Sequence, residues 1–255
     1  MPSPPRHPAG CQSPASSGVR LRAGECGIWW ADPDSAGPRL VAILSGAERD
    51  RWRRFRFDQD RAAYLAAHAL TRIVAGGLLG IPPQDVRFET VCAKCGGAHG
   101  KPGLPGSGLE FSLTHSRRRV GVAFARHLPV GIDVEDMTAA RPSAALAPTV
   151  LAAAEQAALA ALPPDRQGAG FLRYWTRKEA VLKATGYGLS VRPDLVTVTA
   201  PGDSPALVAW AATPALAQDA YLYDLDPGPG QVAALAILGG RATIAEHHAS
   251  LLLAT

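Results

Sequence analysis

Three strand-like runs, FSLTHS (Phe111–Ser116), VGVAFA (Val120–Ala125) and LPVGIDVE (Leu128–Glu135), follow one another with only short connections between them. Parallel neighbours need a crossover of a dozen or more residues, so strands spaced this closely are antiparallel, with Arg117–Arg119 as a hairpin turn. Helices surround them. One runs from Asp58 to about Leu79: Leu65, Ala69 and Ile73 recur every four residues beside Ala66, Leu70 and Val74, and Gly80 ends it. Others are expected over about Pro148–Leu162 and Gly170–Thr185. Further strands are expected at CGIWWA, DVRFETV, DLVTVTA, ALVAWAA, AYLYDL and VAALAIL, with a closing helix at ATIAEHHASLLLA. No regular β-α-β rhythm links these pieces, so the fold class is α+β.

The 255 residues suit one large domain or two small ones. Residues 1–19, rich in Pro, Ser and Gly, are expected to form a disordered tail. Strand and helix content divides about residue 127, giving subdomains 20–127 and 128–255. Four cysteines do not make a disulfide framework, and no signal peptide or membrane span is expected, which points to the cytoplasm. The net charge of +4 suits phosphate-bearing ligands or an acidic protein partner. Six arginines lie between Arg49 and Arg61, but Asp50, Asp58 and Asp60 dilute them, so no nucleic-acid groove is expected.

Alternation along VGIDVEDM turns Val130, Ile132 and Val134 to one face and Asp133 with Glu135 to the other. Adjacent carboxylates suit a hard cation such as Mg²⁺, although a solvated edge strand reads the same way. Asp136 reads as a solvated neighbour. On the helix FLRYWTRKEAVLKAT, Glu179 and Lys183 project from one face, beside an apolar stripe of Phe171, Trp175 and Leu182. An ordinary exposed ion pair has this spacing too. His115 ends a strand beside the hydroxyls of Thr114 and Ser116, a phosphate-holding or simply structural arrangement. Cys92, Cys95 and His99 resemble half a zinc site, with Cys26 or Cys11 as the only further thiols; two buried thiols are the plainer reading.

Taken together, Thr114-His115-Ser116, Gly131-Ile132-Asp133-Val134-Glu135, Trp175 to Lys183 (WTRKEAVLK) and Gly186-Tyr187-Gly188-Leu189 resemble the motifs of the 4'-phosphopantetheinyl transferases of the surfactin-synthetase-activating (Sfp) type. The arginine-rich stretch RDRWRRFRFDQDRAAYL and Gly100-Lys101-Pro102-Gly103-Leu104 extend the resemblance over about residues 40–200. It implies an α+β pseudodimer with coenzyme A and Mg²⁺ in the cleft between two similar subdomains. Asp133, Glu135 and Glu179 would be the metal ligands, Glu179 or Glu135 the general base, and Lys183 the group neutralising the leaving pyrophosphate. Lys101, Thr114, His115 and Lys178 would contact coenzyme A, with Arg51, Arg54 and Arg61 as candidates for its 3'-phosphate. The implied reaction moves the phosphopantetheine arm to a serine of an acyl, polyketide or peptidyl carrier protein, by a monomer. A non-catalytic coenzyme A or 3',5'-ADP binder is the alternative.

Overall fold

The computed structural model describes residues 19–90, 97, 100–139 and 143–254. The expected tail, apart from residue 19, and Cys11, Cys92, Cys95 and His99 lie outside these residues. In chain order the elements are β1 (Glu25–Ala31), α1 (Gly46–Arg54), α2 (Asp58–Leu79), β2 (Glu89–Thr90), β3 (Pro102–Gly103), β4 (Leu109–His115), β5 (Val120–Arg126) and β6 (Val130–Asp136). Then come α3 (Ser143–Val150), α4 (Ala153–Ala160), α5 (Pro164–Thr185), β7 (Val196–Val198), β8 (Leu207–Trp210) and α6 (Leu216–Asp219). The chain closes with β9 (Ala220–Leu225), β10 (Gln231–Leu238), β11 (Thr243–His248) and α7 (Ser250–Leu253).

Two sheets carry the molecule, in the orders β11-β1-β5-β4 and β6-β10-β9. Strand alternation gives each sheet two apolar faces. Trp29, Ala31, Val120, Val122 and Phe124 meet α2 in one core, while Val232, Ala234 and Ala236 meet α5 in another. The remaining faces meet each other: Ile28, Trp30, Ala123 and Ala125 pack against Val130, Ile132, Val134, Ala233 and Leu235. The layers therefore run helix, sheet, sheet, helix, and the α+β class is what the molecule shows. By length and composition α2 could cross a bilayer, but 67% of its most apolar window is buried, so here it is a core helix.

β4 and β6 adjoin where the sheets meet. No backbone ladder joins them; hydroxyls do. Ser112 Oγ accepts from the Ile132 N–H at 3.2 Å, and Thr114 Oγ1 accepts from the Val134 N–H at 3.1 Å. On its other face β6 is almost touched by α5. A Cβ on Gly131 would lie 2.0 Å from the Ala180 carbonyl oxygen and 2.3 Å from the Ala184 nitrogen. Only glycine admits the helix backbone so close to the strand.

Several elements differ from expectation. The closing segment forms strand β11, parallel to β1, before the short α7. It thereby returns the chain to the first sheet, across the expected boundary at 127. The single helix expected over Pro148–Leu162 is two, α3 and α4, broken at Leu151–Ala152, where the Glu155 carboxylate takes the Ala152 N–H at 2.7 Å. α5 begins a turn and a half early because Pro164 starts it, at a position where a missing N–H costs nothing. Among the described residues of DVRFETV only Glu89–Thr90 pairs as strand; upstream, Arg72 takes the carbonyls of Pro83 and Val86 at 3.3 and 3.0 Å.

Candidate active site

β6 and α5 form the floor of the site, with the end of β4 at its side. Asp133, on the face of β6 opposite Val134, is nearly buried. Lys183 reaches it from α5: Nζ donates to Asp133 Oδ1 at 2.6 Å and to the Ile132 carbonyl at 3.0 Å. Thr114 Oγ1 donates to the same Oδ1 at 3.3 Å. Glu135, one strand period on, accepts from the Trp175 indole N–H at 2.9 Å. One helical turn beyond Trp175, Glu179 is buried, and its Oε1 has no hydrogen-bond partner. Burial first, then the negative charges of Asp133 and Glu135, push the Glu179 carboxyl up to about 7 against the opposing pull of Lys183. The three acids thus share one electrostatic neighbourhood with a single lysine inside it. Among the described residues no three His, Cys, Asp or Glu side chains stand at mutual metal-binding spacing. Hard oxygens, one of them buried and unbonded, are nevertheless the donor set a divalent magnesium ion takes. The residues fit that ion in kind.

Beside Lys183 a cleft of about 330 Å³ opens, lined by Lys101, Pro102, Phe111, Leu113 and Tyr187 among others. Lys101 donates to the Val130 carbonyl at 2.8 Å and lies 3.7 Å from Glu110; burial, partly offset by Glu110, lowers its pKa. His115 stands at the end of β4 with an exposed edge. The protein crowding it, and next the Lys183 ammonium, lower its pKa, with a smaller push from Arg51. Arg51 is therefore within electrostatic reach of the site. Arg54 is exposed at the end of α1. Arg61 is occupied locally: it bonds Asp58 at 3.0 Å and the Phe55 carbonyl at 2.8 Å, and lies over the Trp52 ring.

Two expected coenzyme contacts point elsewhere. Lys178 is fully buried on another face of α5, where Nζ binds Glu155 at 2.6 Å and the Pro193 carbonyl at 3.0 Å. Residues 178 and 179 are a hundred degrees apart on a helix, so they cannot both face the cleft. Thr114 is also buried and spends its hydroxyl on β6 and Asp133, so it orients an acid rather than meeting a ligand. Asp136, expected in solvent, is buried: Arg118 grips both its oxygens at 2.7 and 3.0 Å. That grip holds its carboxyl down at about 2. Sequence reasoning also missed the part Trp175 plays, since it treated the side chain as an apolar anchor. The available signal was its four-residue spacing from Glu179, which puts both on one helix face.

Comparison with known proteins agrees with this geometry. Residues 129–236, which hold β6 and α5, match the family model described as "4'-phosphopantetheinyl transferase superfamily". The 4'-phosphopantetheinyl transferase HetI of Nostoc sp. is 31% identical over 89% of this chain and 93% of its own length. A 4'-phosphopantetheinyl transferase of Bacillus subtilis is 31% identical over 68% of this chain and 74% of its own. The 4'-phosphopantetheinyl transferase Sfp of Bacillus subtilis is 29% identical over 74% of this chain and 81% of its own. The chain belongs to the 4'-phosphopantetheinyl transferase superfamily.

Proposed function

We propose that this protein transfers the 4'-phosphopantetheine arm of coenzyme A to a serine of an apo carrier protein and releases 3',5'-ADP. The carrying observation is the meeting of Asp133, Glu135, Glu179 and Lys183 between β6 and α5, inside the family-matched segment. The serine Oγ attacks the β-phosphorus of coenzyme A. The bond from that phosphorus to the oxygen bridging the two phosphates breaks, and 3',5'-ADP leaves with the bond's electron pair. Little covalent work falls to the protein; charge and position do the rest. Lys183, on the rim of the cleft, neutralises charge building on the leaving phosphate. Glu179, with a buried, unbonded oxygen, accepts the serine proton, directly or through water.

Asp133, Glu135 and Glu179 would hold Mg²⁺, which when bound supplies Lewis acidity to the pyrophosphate. His115, Lys101 and Arg51 are assigned to the nucleotide end of coenzyme A. We take the protein to act as a monomer in a reducing cytoplasm, with which the free, buried thiol of Cys26 accords. Incubation with coenzyme A, Mg²⁺ and each of several apo carriers, followed by mass spectrometry, tests the reading. A carrier heavier by one phosphopantetheine arm is the expected result. Binding of coenzyme A with no gain on any carrier would instead make the protein a sensor.

A further inference from the structure

We infer that Arg118 is a positioning residue of the proposed transfer: by gripping Asp136 it sets the nucleotide-binding residues before 127 against the acids that follow. The inference rests on the transfer reading above. Arg118 lies in the turn that joins β4 to β5, three residues beyond His115, and a bond from the Ser116 N–H to the Arg119 carbonyl at 2.7 Å closes that turn. Its guanidinium donates to Asp136 twice, Nε to Oδ2 at 2.7 Å and Nη2 to Oδ1 at 3.0 Å, and Nη2 also reaches the Gly230 carbonyl at 3.3 Å. Arg119 acts alongside, donating to Gln231 Oε1 on β10 at 3.3 Å and to Asp32 Oδ1 at 2.8 Å. The loop 226–230 between β9 and β10 leaves room for both. Cβ atoms on Gly228 and Gly230, each at positive φ, would lie 2.8 Å from Nη2 of Arg119 and of Arg118 respectively. The turn from one sheet and the loop from the other are thus clasped.

The clasp extends a seam. Ser112 and Thr114 tie β4 to Ile132 and Val134, and Arg118 carries the tie two residues further along β6 to Asp136. A guanidinium on a carboxylate makes two parallel bonds in one plane, so it fixes orientation as well as distance. The acceptor is itself held: Asp136 is 3% exposed, and Oδ1 takes the N–H and the hydroxyl of Thr138 at 2.9 and 2.7 Å. His115, Lys101 and Arg51, assigned to the nucleotide end of coenzyme A, come before this crossing in the chain. Asp133, Glu135, Glu179 and Lys183 come after residue 127. A ligand held by the first set reacts at the second, and a misplacement of about 1 Å between them costs about 10²-fold in rate.

The test separates binding from turnover. Arg118→Ala removes the grip, whereas Arg118→Lys keeps the charge and gives up the two-point geometry. Calorimetry measures the binding of 3',5'-ADP, whose assigned partners all precede residue 127. Mass spectrometry of a carrier that the wild type modifies gives kcat, and thermal melts show that each variant is folded at the assay temperature. The expected result for Arg118→Ala is a 3',5'-ADP affinity within about twofold of wild type and a kcat lower by about 10-fold or more. Arg118→Lys loses part of that rate, and carries the test by itself if Arg118→Ala does not fold. Adding Asp136→Asn to Arg118→Ala brings little further loss, because the grip is already gone. Full kcat in the variants overturns the inference and leaves a clasp that only stabilises. Affinity and kcat falling together also overturn it, since Arg118 would then support the nucleotide site itself. If the wild type binds coenzyme A but modifies no carrier, the transfer reading falls and takes this inference with it.

Discussion

Glu179 shows at the scale of one side chain how function is set against stability. A carboxylate with a buried, unbonded oxygen beside two other acids is costly to fold. Lys183 offsets part of that charge, and a further cation would offset more. Glu179→Gln keeps the shape and removes the charge. In chelator-treated protein at pH 8, this variant should melt higher than wild type. Its rate of carrier modification should drop by about 10²-fold or more. A calorimetric melt and the mass-shift assay read the two effects separately. A variant that melts no higher would show that the cluster is already balanced without a metal.

At the scale of elements, the packing of α5 on β6 determines whether those acids can cooperate. Gly131→Ala would drive a methyl into the Ala180 carbonyl and the Ala184 nitrogen, so the helix must back away. Overpacking of this kind costs about 1–3 kcal/mol. A shift of about 1 Å at the site costs about 10²-fold in rate. We expect both a lower melting point and a slower enzyme; full rate at reduced stability would show that this spacing does not govern the site. A second joint, between α1 and α2, is electrostatic. Glu48 accepts from Arg72 Nε at 2.7 Å and meets His68 Nδ1 at 3.1 Å. Burial alone would raise its pKa, but His68, Arg72 and the Ser45 N–H bring it down from 4.5 to about 2. Because the folded value lies below the unfolded one, the carboxylate's contribution is complete above pH 4.5 and fades as pH falls toward 2. Glu48→Gln should therefore melt lower than wild type at neutral pH, and the two curves should converge near pH 2. A gap that persists there would assign the loss to packing.

Much of this was legible in the sequence where a period was clean. The two-residue alternation of β6 separates Asp133 and Glu135 from Val130, Ile132 and Val134, and the four-residue spacing of α5 sets Glu179 with Lys183. Lys178 was misplaced because a motif string treats neighbouring letters as neighbouring groups, whereas a helix turns them to different faces. Buried Asp136 and Thr114 could not be read, since Arg118 lies 18 residues from Asp136 in the turn between β4 and β5, and Val134 lies 20 residues from Thr114 on β6.

The whole molecule is held together by a return of the chain that its sequence disguised. β11 has a polar, largely exposed edge pattern, and with Ala249 to Leu253 it passes equally for an amphipathic helix. In the fold it lies parallel to β1, in register from Glu25 with Thr243 to Trp30 with His248. Glu246 accepts from the Trp30 indole N–H at 2.7 Å, and the Ala249 N–H donates to the Trp30 carbonyl at 2.7 Å. Leu253 fills the core beneath α2. The first half is thus finished by the last fifteen residues, whereas the core beneath α5 is drawn wholly from residues after 127. A chain ended at Gly240 would leave β1 as an open edge, the Trp30 indole without its acceptor, and a gap where Leu253 packs. Such edges pair with other chains, and gaps of this size lower stability. We expect the shortened protein to lose its cooperative melt and to run as aggregates on size exclusion, even though every acid of the site is still encoded. A truncated chain that melts like the full one would mean that β6, α5 and their sheet stand independently, and that β11 only decorates the other half.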